Sequence, residues 1–163
     1  MPTESLHLRP AKPDESPLIL AFIRELAEYE KLGHEVVATV DQVSATLFGE
    51  QPFAEVVIAE WQGQAAGFAL FFTNYSTFLA RPGIYLEDLF VRPTFRGRGI
   101  GKALLSYLAQ QVRERDFERL DWSVLDWNQG AIDFYKGIGA YELDDWHRFR
   151  VDGEALDALA ETD

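Results

Sequence analysis

The sequence predicts an α/β domain with a mixed sheet, and three observations lead to this prediction. Apolar residues alternate along several short segments, as in strands, and recur at helical spacing along others. The predicted elements follow in the order strand, helices, several strands, helix, strand, helix, strands, which is typical of a mixed sheet. The chain has 163 residues, the size of one domain, so we expect a single domain over residues 1–163.

The first half of the chain is predicted to contain a strand, two helices and a hairpin. LHLRPA alternates and ends at a proline, which indicates a short strand. KPDESPLILAFIRELAEYEKLG has apolar residues at helical spacing, and TVDQVSATLFGE predicts a second, shorter helix closed by glycine. Two β-rich runs around QGQ predict a hairpin, and the second run, GFALFF, is apolar on both faces and therefore expected to be central.

The second half is predicted to begin with a strand in ARPGIYLEDLFVRP, which stops at Pro93 because proline cannot donate to a ladder. A helix follows from Ile100 to about Arg115, with its apolar residues on one face. RLDWSVL predicts a strand and NQGAIDFYKGIG a short helix. AYELDDWHRFRVDG is predicted to hold one or two late strands, and EALDALAET a last helix.

Composition narrows the possible functions. The chain has no cysteine, and its three histidines are far apart in sequence, so we expect no metal site. The formal net charge of −12 makes nucleic acid a poor partner. No apolar run approaches the ~20 residues that span a bilayer, and MPTESLHLRPAKPDE lacks the apolar core of a signal peptide. We therefore expect a cytoplasmic protein that does not associate with membranes.

A glycine-rich turn leads into the predicted helix at Ile100, in FRGRGIGKALL. The first N–H groups of a helix have no partner within the helix, and the helix dipole favours negative charge there. Gly97, Gly99 and Gly101 allow the backbone to approach a ligand closely, and Arg96 and Arg98 add positive charge. The turn is therefore predicted to bind a phosphate or a pyrophosphate.

Three known phosphate-binding loops can be compared with this turn. A P-loop needs four residues between its first glycine and the Gly-Lys pair and then Ser or Thr, whereas here only three intervene and Ala103 follows Lys102. A dinucleotide fingerprint requires a third glycine where Lys102 stands. The acetyl-CoA loop, Arg/Gln-x-x-Gly-x-Gly/Ala, is matched in register by Arg96, Gly99 and Gly101.

The chain resembles the GNAT superfamily of acyl-CoA-dependent N-acetyltransferases from LHLRPA to RFRVDGEAL. Within that superfamily it is most similar to the diamine acetyltransferases of the spermidine/spermine and thialysine type, through RELAEYEK, FGEQPF, YLEDLFV, RGRGIGKALL and WNQGAIDFYKGIGA. The resemblance implies a mixed, mostly antiparallel central sheet that is flanked by helices and splayed between its two central strands. It also implies a homodimer, with active sites close to the subunit interface.

The resemblance implies where acetyl-CoA binds. The strand before the loop would pair with the pantetheine arm through its backbone at Leu89, Phe90 and Val91, an ordinary strand-edge interaction. Asn128 matches an asparagine that lies near the cofactor in the following helix. The pyrophosphate would bind the backbone N–H groups of the loop, which runs through Arg96, Gly97, Arg98, Gly99, Ile100, Gly101 and Lys102.

The resemblance also implies the catalytic and substrate-binding residues. Tyr135 matches the catalytic tyrosine, which contacts the cofactor and protonates the departing thiolate. A phenol titrates near ~10 and a thiol near ~8.5, so the proton transfer is not badly mismatched. Glu87 matches the carboxylate that removes a proton from the amine, directly or through water, and Asp88 is the weaker candidate. Tyr29 and Glu30 match the helix end on the substrate side.

The sequence leaves more than one substrate and more than one activity open. The resemblance implies that the substrate is a primary amine of a small diamine or of a lysine-like molecule. Ser76 and Phe78 stand where polyamine-acetylating members carry an acid and a tryptophan, which favours an amine of the thialysine type over spermidine. Arg81 is a candidate to bind a substrate carboxylate. The remaining alternatives are a protein or peptide acetyltransferase, acting on a lysine or an N-terminus, and a non-catalytic acyl-CoA-binding module.

Overall fold

The fold is described from a computed structural model that covers residues 5–162. Residues 1–4 and residue 163 lie outside the described residues. The first four belong to the stretch MPTESLHLRPAKPDE, for which no signal peptide was predicted. The chain divides into two compact units, one extending to Leu125 and the other beginning at Asp126. The first unit contains strands β1 to β5 and helices α1 to α3, and the second contains helices α4 and α5.

The first unit is built on a five-stranded sheet in the order β1-β2-β3-β4-β5. Neighbouring strands are antiparallel except β4 and β5, which are parallel. The predicted α/β class with a mixed, mostly antiparallel sheet is confirmed, and the GFALFF segment lies in the central strand. The strands are β1 (Leu6–Pro10), β2 (Glu55–Trp61), β3 (Gln64–Ser76), β4 (Arg81–Val91) and β5 (Leu120–Trp122).

Helices α1 (Ser16–Tyr29) and α2 (Val40–Phe48) share a hydrophobic core with one face of the sheet. Phe22 of α1 stacks on Phe68 of β3 with ring centroids 5.1 Å apart. Helix α3 (Ile100–Glu114) has its own row of buried residues, among them Leu104 and Leu108, and contacts all five strands. Because strand residues alternate, the sheet buries apolar side chains on both of its faces.

Strand β4 carries a β-bulge that shifts its side-chain alternation. Leu86 pairs with Phe71, and Asp88 pairs with Leu70, so Glu87 between them has no partner on β3. Paired residues of antiparallel strands project to the same face, and adjacent residues of β3 project to opposite faces. Leu86 and Asp88 therefore lie on opposite faces, although a regular strand would place them on the same one.

The second unit contains α4 (Gln129–Gly137) and α5 (Gly153–Ala160). Both helices were predicted, but the prediction of one or two late strands in AYELDDWHRFRVDG is wrong, because residues 140–152 form no strand. A strand needs a neighbouring backbone for its hydrogen bonds, and the described part of this unit offers only two helices. Across residues 5–162, every helix is too short or too polar to traverse a lipid bilayer.

Candidate functional site

The glycine-rich turn forms an open backbone cradle at the start of α3. Gly97 and Gly99 have φ angles of 78° and 77°, in the left-handed region that favours glycine, and Gly99 is the N-cap of α3. A Cβ added at either glycine, or at Gly101, would meet no atom within 4 Å. The protein's own packing therefore leaves this space open, as a binding loop for an anion requires.

The first N–H groups of α3 point into this cradle. The first helical hydrogen bond runs from Ala103 N–H to the Gly99 carbonyl, 3.0 Å. The N–H groups ahead of it, from Ile100 to Lys102, have no preceding turn to donate to, and no side chain caps the helix. Ile100 itself is buried, so only its backbone is available to a ligand.

Beside the cradle, β4 has an open edge. Strand β5 pairs with β4 only from Ile84 to Leu86. From Glu87 to Val91, β4 is paired with β3 on one side and with no other strand within residues 5–162. This open edge leaves backbone groups of β4 free to bind an extended ligand.

The bulge determines which backbone groups face the open edge. Arg92 N–H donates to the Ala66 carbonyl of β3, so the Val91 carbonyl in the same peptide unit points away from β3. A Cβ added at Gly67 would collide with the Phe90 carbonyl oxygen, which shows that this carbonyl points toward β3. The backbone N–H and C=O groups of Leu89 and Val91 therefore point to the open edge, where the Val91 carbonyl accepts a hydrogen bond of 2.9 Å from Arg96 Nε. The backbone groups of Phe90 point toward β3.

The carboxylates of Glu30, Glu87 and Asp88 lie close enough to interact electrostatically. Glu30 is the C-cap of α1, and Asp88 lies on the face of β4 that α1 covers, because the bulge has turned it there. Burial raises the pKa of Asp88 to about 6, with further contributions from the negative charges of Glu87 and Glu30. Burial also raises the pKa of Glu30, whereas Glu87 is exposed.

This arrangement suits an organic cation. Several carboxylates in one place repel each other, and the arrival of a positive charge relieves the repulsion. Among residues 5–162, no group of three or more acidic or histidine side chains is arranged to hold a metal ion. Sequence reasoning ranked Asp88 below Glu87, and the structure makes Asp88 the more enclosed of the two.

Two loop arginines contact aromatic rings of the same unit. The Arg96 guanidinium carbon lies 5.0 Å from the ring centroid of Tyr29 and 5.7 Å from that of Phe90. Arg98 lies 5.1 Å from the ring centroid of Trp61. Sequence reasoning missed these contacts, because they join residues that are far apart in sequence and no local pattern indicates them.

The predicted residues Asn128 and Tyr135 lie in the second unit. Asn128 is the N-cap of α4, where its side-chain oxygen accepts a hydrogen bond from Ala131 N–H, 3.3 Å. Tyr135 lies on α4, is half-buried, and contacts the ring of Phe134 at a centroid distance of 5.8 Å. The predicted site residues are thus divided between the units, with the cradle, the open edge and the carboxylates all in the first.

Ser76 and Arg81, which were considered for substrate choice, lie along the β3–β4 hairpin, far from the carboxylates of Glu30, Glu87 and Asp88. Asp88 pairs with Leu70, and Ser76 is six residues further along β3, about 20 Å at ~3.3 Å per residue. Ser76 accepts a hydrogen bond from Leu79 N–H at the hairpin tip. Arg81, considered as a carboxylate ligand, already pairs with Glu118 at 2.9 Å and Asp116 at 3.6 Å, so its charge is engaged within the protein.

An open strand edge next to a helix-terminal glycine cradle suits an extended ligand that ends in an anion. Residues 21–140 match the acetyltransferase (GNAT) family. The chain belongs to the GNAT acetyltransferase family, and it is an acetyl-transferring enzyme whose co-substrate is acetyl-CoA. The open edge, the positive φ angles and the unblocked N–H groups fit the amide arm and the pyrophosphate of that molecule.

Individual proteins show the same similarity. The chain is 41% identical to the thialysine N-epsilon-acetyltransferase of Bos taurus over 164 residues, covering 94% of this chain and 96% of the relative. It is 32% identical to the L-ornithine N5-acetyltransferase of Arabidopsis thaliana, covering 93% and 86%. An integron cassette protein from V. cholerae has a similar structure, with a TM-score of 0.81, 28% identity, and coverage of 97% and 99%.

Proposed function

We propose that this enzyme transfers the acetyl group of acetyl-CoA to the terminal amine of a small lysine-like amino acid of the thialysine type. The observation that carries the proposal is the group of Glu30, Glu87 and Asp88 on β4 and the end of α1, next to the open edge of the same strand. An alkylamine is protonated in water, with a pKa near ~10.4, so such a group attracts it. It thereby brings the amine to the strand along which the acetyl donor is expected to lie.

The acetyl-CoA site is proposed to consist of the open edge and the cradle. Leu89 and Val91 supply backbone hydrogen bonds to the amide groups of the pantetheine arm. Backbone N–H groups between Gly97 and Lys102 bind the pyrophosphate. Phe90 directs its own backbone toward β3 and supports the edge from within the sheet, and Asn128 contacts the cofactor from the start of α4.

Glu87 is proposed to take the proton that the amine must lose before it can attack. It is exposed, so water can carry the proton between the amine and the carboxylate and on to solvent. Asp88 and Glu30 hold the amine as an ammonium ion until then, and Tyr29 borders the same helix end. Binding of the ammonium ion favours the ionised form of Asp88, because opposite charges at close range lower the pKa of a carboxyl group.

Tyr135 is proposed to be the general acid. Nitrogen attack on the thioester forms a C–N bond and breaks the C–S bond, and the sulfur departs with the electron pair. The Tyr135 hydroxyl donates its proton to that sulfur, and solvent reprotonates the phenolate. The amine nitrogen gives its second proton to Glu87 or to water, so charge is balanced over the cycle.

The choice of a lysine-like substrate is supported by the relatives. Thialysine and ornithine are both amino acids with a terminal amine on the side chain, and the relatives with those names cover most of this chain. Ser76 supplies no carboxylate for the distal ammonium of a polyamine. We therefore expect thialysine, or a similar amine, to be a better substrate than spermidine.

We also propose that the protein is a single catalytic domain that works in the cytoplasm as a homodimer, without nucleic acid or membrane partners. The tip of the β3–β4 hairpin exposes Tyr75, Phe78 and Leu79, which offers apolar surface for a subunit contact. Light scattering at micromolar concentration tests the dimer, and a monomer there would contradict it.

The activity is tested by thiol release from acetyl-CoA with a panel of amines: thialysine, lysine, ornithine, putrescine, spermidine and a lysine peptide. We expect kcat/KM for thialysine to exceed that for spermidine several-fold, because one ion pair in a partly wet site contributes about 1 kcal/mol. Spermidine as the best substrate would contradict the substrate assignment. A peptide as the best substrate would indicate a protein acetyltransferase, and no turnover at all would indicate an acyl-CoA-binding module.

A further inference from the structure

The side chain of Arg96 does not extend into solvent beside the cradle. Its Nε donates a hydrogen bond of 2.9 Å to the Val91 carbonyl, at the end of the open edge of β4. Its guanidinium carbon lies over the rings of Tyr29 and Phe90, at 5.0 and 5.7 Å from their centroids. One side chain thus ties the loop to a strand end and a helix end.

The two rings adjoin the carboxylates in the chain. Tyr29 is the last residue of α1 and directly precedes Glu30, the C-cap. Phe90 is two residues from Asp88 and projects to the same face of β4, since both follow the bulge. Arg96 therefore packs on the residue that directly precedes Glu30 and on the residue that follows Asp88 on the same face of β4.

We propose that Arg96 is a positioning residue for the amine site, in addition to its place in the acetyl-CoA loop. This proposal rests on the proposed function. When the loop is ordered around the pyrophosphate, the Arg96 side chain is held against Tyr29 and Phe90 and fixes the end of α1 relative to β4. The distance between Glu30 and Asp88 then depends on the state of the cofactor loop.

Such a link makes the binding of the two substrates cooperative. If acetyl-CoA improves the amine site through Arg96, the amine must improve acetyl-CoA affinity by the same factor, because coupling free energy is reciprocal. Arg98 offers an internal comparison. It has the same charge and belongs to the same loop, but its guanidinium lies over the ring of Trp61 at the end of β2, away from the carboxylates proposed to hold the amine.

Steady-state kinetics of Arg96→Ala and Arg98→Ala test the difference. At saturating acetyl-CoA, Arg96→Ala should raise KM for the best amine roughly five- to tenfold, the scale of a lost cation–π contact together with a lost hydrogen bond. Arg98→Ala should raise KM for acetyl-CoA and leave KM for the amine within about twofold, the scale of an uninvolved surface side chain. An unchanged amine KM in Arg96→Ala would overturn the proposal.

Two further comparisons separate stacking from charge. Arg96→Lys keeps the charge but loses the planar group, so it should recover less than half of the lost amine affinity. Tyr29→Phe keeps the ring and should preserve the coupling, whereas Tyr29→Leu should abolish it. The double variant Arg96→Ala/Tyr29→Leu should then be no worse in amine KM than the more impaired single variant, and additive effects would count against the contact.

Hydrogen exchange gives a readout that needs no turnover. Acetyl-CoA should protect the loop and also the backbone amides at the end of α1 in the wild type, but only the loop in Arg96→Ala. Protection restricted to the loop in the wild type would overturn the positioning role. If the wild type acetylates no amine of the panel, the proposed function fails, while the exchange experiment still decides whether Arg96 links the loop to α1.

Discussion

Glu30 and Asp88 come from different elements, the end of α1 and the middle of β4, and lie close enough that the charge of Glu30 raises the pKa of Asp88. The larger cause of the raised pKa is burial of Asp88 itself. A carboxylate that the fold makes hard to ionise is unfavourable for stability. It is useful where a cation is to be bound, because the bound cation removes the disadvantage.

The first prediction concerns stability. The pKa of Asp88 in the folded protein is about 6, above its usual 3.8, so the folded state binds the proton more tightly than the unfolded state. The stabilisation from the protonated form is complete below pH ~4 and is lost as the pH rises through ~6. Asp88→Asn should therefore increase the free energy of unfolding at pH 7.5 by about 2 kcal/mol and raise Tm by roughly 5 °C.

Thermal unfolding at pH 4.5 and pH 7.5 measures this effect. The advantage of Asp88→Asn should shrink at the lower pH, where wild-type Asp88 is largely protonated. Glu50→Gln, which removes an exposed carboxylate before β2, should leave Tm nearly unchanged at both pH values. Equal Tm values for Asp88→Asn and the wild type at pH 7.5 would show that Asp88 ionises without difficulty.

The second prediction concerns the cradle. Gly99→Ala places a methyl group where the ligand is expected and should raise KM for acetyl-CoA roughly tenfold, the scale of a lost hydrogen bond to a charged group. It also forces alanine into the left-handed region, which costs ~1 kcal/mol. Gly63→Ala is a matched control, because Gly63 has φ 80° and equally open surroundings but lies in the β2–β3 turn.

Both glycine variants should lose similar stability, and only Gly99→Ala should lose acetyl-CoA affinity. Calorimetric titration with acetyl-CoA and thermal unfolding separate the two effects. Unaltered acetyl-CoA affinity in Gly99→Ala would mean that the cofactor binds elsewhere.

The third prediction concerns Glu87. Glu87→Gln keeps the size of the side chain and removes its charge, so kcat should fall most near neutral pH, where the amine arrives protonated. At pH ~9–10 solvent supplies free amine, since alkylamines titrate near ~10.4, and the defect should shrink. A pH–rate profile parallel to that of the wild type would assign the proton transfer to another group.

The fourth prediction concerns Tyr135. Tyr135→Phe keeps the ring and its contact with Phe134 but removes the hydroxyl proton, so kcat should fall roughly 10²-fold or more. The Kd for acetyl-CoA should change little, and higher pH should not rescue the rate, because the missing proton belongs on the departing thiolate. Wild-type turnover under conditions where chemistry limits the rate would leave Tyr135 without a catalytic role.

Most of the fold could be predicted from the sequence, because the signals involved are local. The helix around Phe22 and the strand ending before Pro93 are marked by periodicity and by terminating residues. The late strands were mispredicted because alternation says nothing about whether a neighbouring strand is present. Whether such a partner strand exists depends on how the whole chain folds.

The candidate site could be predicted only in part. The glycines of the loop are a local motif, and the positive φ angles of Gly97 and Gly99 agree with it. The bulge at Glu87 is only weakly indicated by the sequence. Leu86 and Leu89 lie on one face of β4 although they are three residues apart, whereas residues on one face of a regular strand are an even number apart. The contacts of Arg96 leave no trace, since they depend on how β4 and α1 come together.

Glu87, the unpaired residue of the bulge, corresponds to a single codon. An in-frame deletion of that codon would let β4 continue a regular ladder with β3, and the sheet itself would survive. Every pairing beyond it would stay the same: Asp88 would still pair with Leu70 on the side of α1, and Leu89 and Val91 would keep their places at the open edge. A three-nucleotide deletion could thus remove the proposed proton acceptor from this enzyme and leave the register of its sheet intact.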